Sequence, residues 1–119
     1  ARWAFGLSCI GFALGHYLSV ASVAALVPKW LPNPSFWVIL TGTGFLLAGI
    51  AIVVRRLDAL AANLLAAQLL VFSVVVCLPW ILHDPRGHEA WGGNAYNLAA
   101  AGAALIVAAA SARAGRAAR

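Results

Sequence analysis

Among 119 residues, four groups have types and spacing that could do chemistry. His16 stands about 13 residues into an apolar run that begins at Trp3, roughly 20 Å along a helix. An ionisable group at that depth is a functional candidate by default, because burying it is expensive. Such an imidazole can hydrogen-bond a quinone carbonyl, relay a proton or ligate a tetrapyrrole. The plainer reading is a neutral ring bonded to Thr41, Thr43, Gln68 or a backbone carbonyl. Haem held by two histidines of one chain fails, because no second histidine lies inside an apolar run. Chlorophyll fits poorly, because Phe12 fills the position four residues earlier where a small residue would leave room for the ring.

Trp30 and Trp37 lie beside Pro28, Pro32 and Pro34, and either wall a head-group pocket with His16 or anchor the chain at a membrane interface. His83, Asp84, His88 and Glu89 follow the pattern H-D-x3-H-E, whose nitrogen and carboxylate donors suit zinc or a similar metal. Pro85 and Gly87 make that stretch a loop without fixed geometry, so a solvated turn that pins helix ends explains it as well. Cys9 and Cys77 fall at opposite depths, far beyond the roughly 7 Å between α-carbons that a disulfide tolerates. They read as small buried hydrophobes. No haem or metal motif, nucleophile–base pair, phosphate loop or carboxylate pair is present, so the chain is not expected to be catalytic on its own.

The elements that must position these residues follow from composition. Hydrophobic residues make up 64% of the chain and charged residues 9%, against about 45–50% and about 25% in soluble domains. The mean hydropathy is +0.93. A soluble enzyme and a disordered segment are both excluded. The net charge of +5 comes from basic residues in short clusters between apolar runs, without a stripe of interleaved aromatics, so nucleic acid is not an expected partner.

Trp3–Pro28, Trp30–Val54, Ala59–Leu82 and Ala90–Ala112 contain no Asp, Glu, Lys or Arg. Each exceeds the ~20 residues a helix needs to cross ~30 Å of hydrocarbon. The expected architecture is all-α: one integral membrane domain, residues 1–119, a four-helix bundle with spans near 3–26, 35–54, 58–81 and 93–112. Prolines 28, 32 and 34 interrupt the first connection. Arg55-Arg56-Leu57-Asp58 makes a tight polar turn, and Pro79 either kinks or ends the third span. Ser22-Val23-Ala24 resembles a signal-peptide cleavage site, but the apolar stretch before it is too long for one. The chain begins with Ala1, which leaves room for residues before it.

Four spans put both termini on one side, with Arg2, Arg55, Arg56, Arg113, Arg116 and Arg119; the other side holds Lys29 and Arg86. That asymmetry makes both termini cytoplasmic. The opposite end gathers Trp30, Trp37, Trp80 and Trp91 as an aromatic belt. Small residues at four-residue spacing are expected to form the helix seams: Gly11, Gly15 and Ser19; Gly44 and Ala48; Ala59, Asn63 and Ala67; Ala95, Ala99 and Ala103. Asn63, Gln68, Ser73, Asn94 and Asn97 are expected to bond between helices.

Gly15-His16-Tyr17, Val27-Pro28-Lys29-Trp30-Leu31-Pro32, Leu40-Thr41-Gly42 with Gly49, Arg55-Arg56, Leu78-Pro79 with Asp84-Pro85, Trp91, Asn97-Leu98-Ala99 and Gly102-Ala103-Ala104 occur in an order that resembles the DoxX family of small bacterial membrane proteins. The resemblance covers nearly the whole chain. It implies a four-helix bundle in the bacterial inner membrane. Family members include small subunits of quinone-linked thiosulfate oxidation, parts of membrane redox complexes and, among eukaryotic relatives, assembly chaperones.

The leading expectation is a non-catalytic accessory subunit of a larger membrane redox or energy-converting complex, surrounded by lipid. The alternatives are a quinone-interacting oxidoreductase component, with His16, Trp30 and Trp37 as quinone contacts, and an assembly chaperone for other membrane proteins. No cofactor motif accompanies the resemblance. The orientation is testable: a phosphatase reporter fused at the C-terminal end should be inactive, and one inserted between Asp84 and His88 active. The reverse pattern overturns the assigned topology.

Overall fold

In the computed structural model, residues 1–118 are described; Arg119, one of the six basic residues assigned to the cytoplasmic side, lies outside them. The order is α1 (Arg2–Leu18), α2 (Val20–Ala24), α3 (Pro34–Val54), α4 (Asp58–Phe72), a π-helical turn (Ser73–Cys77), α5 (Leu78–His83) and α6 (His88–Ala117), with no strand among the described residues. Three helical rods are long and apolar enough to cross a membrane: Pro34–Val54, Asp58–His83 and His88–Ala117. The chain is an all-helical membrane protein, elongated to 50 × 27 × 21 Å.

The first apolar run does not form the single helix expected over 3–26. It breaks at Ser19, whose backbone leaves the helical region at φ −127° and ψ 37°. Serine competes poorly as an interior helix residue, and the β-branched Val20 and Val23 that follow add crowding. The short α2 then turns to lean on α3.

Pro79 neither ends the third rod nor stays without consequence. Its ring would strike the carbonyl of Val75, four residues back, and it offers no N–H. The helix widens just before it: the Leu78 N–H donates to the Ser73 carbonyl, five residues back, and the rod continues to His83.

Asn33 starts α3 from a left-handed conformation (φ 51°), with its Oδ1 accepting the Phe36 N–H at 3.4 Å and Pro34 in the first helical turn. Between α3 and α4, Arg55 and Leu57 are both left-handed, at φ 60° and 56°. That three-residue reversal makes α3 and α4 antiparallel neighbours.

α1 packs on α3, α3 on α4, and α4 on α6. The seams run in a register different from the expected one. On α1 the buried residues are Gly6, Cys9 and Ala13, while Gly11, Gly15 and Ser19 are exposed. On α4 they are Ala62, Leu65, Ala66 and Leu69, with Asn63 and Ala67 exposed. On α6 they include Ala101, Ala104 and Ala108, with Ala95 and Ala99 exposed. Of the second set, Ala48 is buried as expected.

Close approach is instead set by glycines of α3. A Cβ on Gly42 would meet the His16 Cβ at 2.8 Å, and one on Gly49 would meet the Gly6 carbonyl oxygen and Ile10 Cγ1, each at 2.7 Å. Gly44 makes room for a side chain instead of a helix, because the Gln68 amide occupies the space that a Cβ there would need.

Polar ties close the basic end. The Ser111 hydroxyl donates to Asp58 Oδ2 at 2.7 Å, the Ala59 N–H donates to Oδ1 at 3.1 Å, and Arg2 stands 3.8 Å from Oδ2. One carboxylate thus connects α1, α4 and α6, and its place in the first turn of α4 also suits the helix dipole. The Asp58–Ser111 bond is charge-assisted and contributes about 1.5–3 kcal/mol.

Replacing Gly49 with Ala is expected to destabilise the protein by about 1–3 kcal/mol, because backbone on the opposite helix cannot yield. Gly11→Ala, on an open face, should be neutral or stabilising by up to ~1 kcal/mol. Thermal unfolding in detergent compares the two directly; equal effects would contradict the glycine-mediated α1–α3 contact.

Candidate functional site

Above the tightly packed Gly42–Gly49 stretch of α3, the helices part and leave a cavity of about 820 Å³. This lies in the upper part of the roughly 300–1,000 Å³ range of ligand sites. His16 of α1, Trp30 of the first connection and Trp37 of α3 all line it, so the structure brings together the three residues singled out in sequence. Thr41, Gln68 and Asn97 add polar groups to an otherwise apolar wall.

His16 is half-buried, with its Cβ held against Gly42. Its Nδ1 lies 2.8 Å from the Phe12 carbonyl oxygen one turn earlier. Of the partners considered from sequence, the backbone carbonyl is the one realised. The imidazole also lies 5.4 Å from the Phe45 ring. Phe45 continues to Phe12 at 5.8 Å, and Phe12 to Tyr96 at 5.4 Å, which links α1, α3 and α6 through rings. Phe12, Phe45 and Tyr96 also wall a second cavity of about 270 Å³ toward Cys9 and Ala103.

Trp37 donates its indole N–H to the Pro32 carbonyl at 2.9 Å, so it offers the cavity a ring rather than a donor. The same device recurs in the last connection, where the Trp91 N–H donates to the Pro85 carbonyl at 3.0 Å. Prolines bend each connection, and the tryptophan at the start of the next helix straps it down. Trp30 is 69% exposed, at the mouth of the cavity.

The Thr41 hydroxyl donates to the Trp37 and Val38 carbonyls, at 2.7 and 3.1 Å. Gln68 crosses from α4 to donate to the Thr41 carbonyl at 3.2 Å. Thr43 donates to the Ile39 carbonyl at 2.8 Å; its single hydroxyl proton being used there, Tyr17 donates to Thr43 Oγ1 at 2.8 Å and ties α1 to α3. Asn97 donates to Cys77 Sγ at 3.4 Å.

Gln68 and Asn97 therefore bond between elements as expected. Asn63 and Ser73 instead bond back to the Ala59 and Leu69 carbonyls of their own rod. Asn94 Oδ1 is buried without a partner among the described residues. Cys9 and Cys77 are both buried and free. Among the described residues, no three His, Cys, Asp or Glu side chains come together as a metal-ligand set, so His83, Asp84, His88 and Glu89 do not converge.

Phe45, the hub of the aromatic chain, is not distinguished by the sequence. A lone phenylalanine in an apolar helix gives no signal until the neighbouring helices are placed. Asp58 carries one signal, as the single acid beside the basic turn, but its spacing does not reveal that it joins three helices.

The site offers a half-open hydrophobic cleft, planar aromatic walls and a few polar atoms. Comparison of the chain with protein-family models, curated proteins and solved structures finds no match in any of the three.

Trp37→Phe keeps the ring but frees the Pro32 carbonyl, and should lower stability by about 1 kcal/mol. Trp30→Phe should change it by less than ~0.5 kcal/mol. Paired denaturation curves in detergent test this, and equal losses would remove the strap assigned to Trp37.

Proposed function

We propose that this chain is a DoxX-like, multi-pass protein of the bacterial cytoplasmic membrane that holds a quinone-type molecule as a component of a larger redox complex. In this reading α1 with α2 makes a fourth crossing beside the three longer rods, and both termini are cytoplasmic. The observation that carries the reading is the shared cavity of His16, Trp30 and Trp37, about 820 Å³ in volume and lined mainly by apolar groups. A purely structural subunit has no need of such a space. The walls suit a planar head group with an apolar tail, and His16 supplies a polar atom to orient it.

A supporting role in a complex, rather than independent catalysis, fits a site that binds but holds no nucleophile–base or carboxylate pair. The exposed apolar faces, such as Leu18 at 83% and Ile106 at 72%, suit lipid and a partner subunit alike.

Native mass spectrometry of the protein released gently from its own membranes tests the proposal. The expected species migrates with larger subunits at fixed stoichiometry and carries a mass that fits a quinone. His16→Ala should lower occupancy by the quinone-type ligand, counted over its oxidised and reduced forms, about tenfold, the effect of losing one hydrogen bond to a ring oxygen in an apolar site. A free chain with no bound lipophile would overturn it.

A further inference from the structure

We infer that the cavity binds the hydroquinone form of its ligand in preference to the quinone, with a phenolic hydroxyl donating to His16 Nε2. This rests on the quinone-binding reading above and specifies the ligand's redox form.

The Phe12 carbonyl sets the polarity of the site. A carbonyl oxygen only accepts, so the 2.8 Å contact places the ring proton of His16 on Nδ1. A neutral imidazole carries one N–H, which leaves Nε2 as a bare lone pair. Nε2 has no protein partner among the described residues, and His16 lines the cavity. Because the Phe12 carbonyl lies one turn back on the same helix, this tautomer is set by the protein before any ligand enters.

The chain's three carboxylates, Asp58, Asp84 and Glu89, are absent from the lining. The imidazole therefore meets no carboxylate in the cavity.

A quinone presents carbonyl oxygens, which are acceptors. Placed against Nε2 it would set two acceptors face to face in an apolar enclosure, leaving both unpaired. A hydroquinone presents O–H donors at the same positions of a ring of nearly the same shape. Of the donors on lining residues, the Thr41 hydroxyl and the Trp37 N–H already donate to backbone carbonyls, while those of Trp30, Trp80 and Tyr96 have no partner among the described residues, so the preference for the hydroquinone is set at His16 Nε2. The aromatic walls favour a ring-bearing hydroxyl over an aliphatic one: His16 itself lies against Phe45, and Phe12, Tyr96 and Trp37 line the same space.

Two measurements on the full chain test this. First, a decyl-substituted benzoquinone and its dithionite-reduced hydroquinone are titrated anaerobically into the protein in nanodiscs, with farnesol as an aliphatic alcohol. The hydroquinone should bind about tenfold more tightly than the quinone, and His16→Ala should abolish that preference. Equal affinity, or tighter binding of the quinone, overturns the inference while the quinone-binding reading stands. Binding of neither form overturns both. Farnesol binding as tightly as the hydroquinone overturns the assignment to an aromatic hydroxyl.

The second measurement does not depend on how well a His16 variant folds. In a His83→Asn, His88→Asn protein, His16 is the remaining histidine, and its 15N shifts report the tautomer. Protonated Nδ1 with bare Nε2 is expected; a proton on Nε2 overturns the inference.

Discussion

The structure depends on how closely α1 and α3 approach. In lipid, helices gain nothing from the hydrophobic effect by associating, and van der Waals packing must hold them. Gly42 and Gly49 give α3 a side without Cβ atoms, and α1 settles into it with the His16 Cβ over one glycine and Ile10 and the Gly6 carbonyl over the other. This contact holds the base of His16 against α3 and the ring beside Phe45. Farther along, Ser19 breaks the helix, and α2 leans on α3 in a new direction and adds Val23 to the cavity lining.

The two ends are held by different chemistry. At the basic end one carboxylate, Asp58, collects a hydroxyl from α6, a backbone amide from α4 and a guanidinium from α1. At the tryptophan-rich end, indole N–H groups secure the carbonyls of Pro32 and Pro85, which lie in the connections outside the helices. Between them the Tyr17–Thr43 and Gln68–Thr41 bonds fasten α1 and α4 to α3. Many polar groups are thus used on the protein itself, whereas His16, which lines the cavity, keeps an Nε2 without a partner among the described residues.

That allocation accords with the binding role proposed above. Several donors around the cavity, those of Trp37, Thr41, Gln68 and Asn97, are committed to backbone or to a neighbouring element. The aromatic rings supply shape, and the intrahelical bond of His16 supplies a fixed polarity. The role proposed above, orienting a lipophilic redox carrier for a partner's chemistry, needs these features and little more.

Composition and charge spacing alone determined that the chain is helical and lives in a membrane, because hydrocarbon admits only long, uncharged, internally bonded segments. The bounds of two rods were legible for the same reason: expected spans 35–54 and 58–81 meet helices Pro34–Val54 and Asp58–His83, whereas 93–112 falls well inside His88–Ala117, whose ends run past the apolar segment. His16, Trp30 and Trp37 stood out because imidazole and indole are unusual or positionally restricted there. The seams were not legible. Small residues recur on several faces of each helix, and spacing alone does not say which face turns inward; that choice came from where α3's glycines meet α1. Nor could the sequence show that Pro79 would be absorbed by a π-turn, or that Phe45 would join three helices. Cavity and tautomer alike arise from distances between residues far apart in the chain or around a helical turn, and only the folded backbone sets those distances.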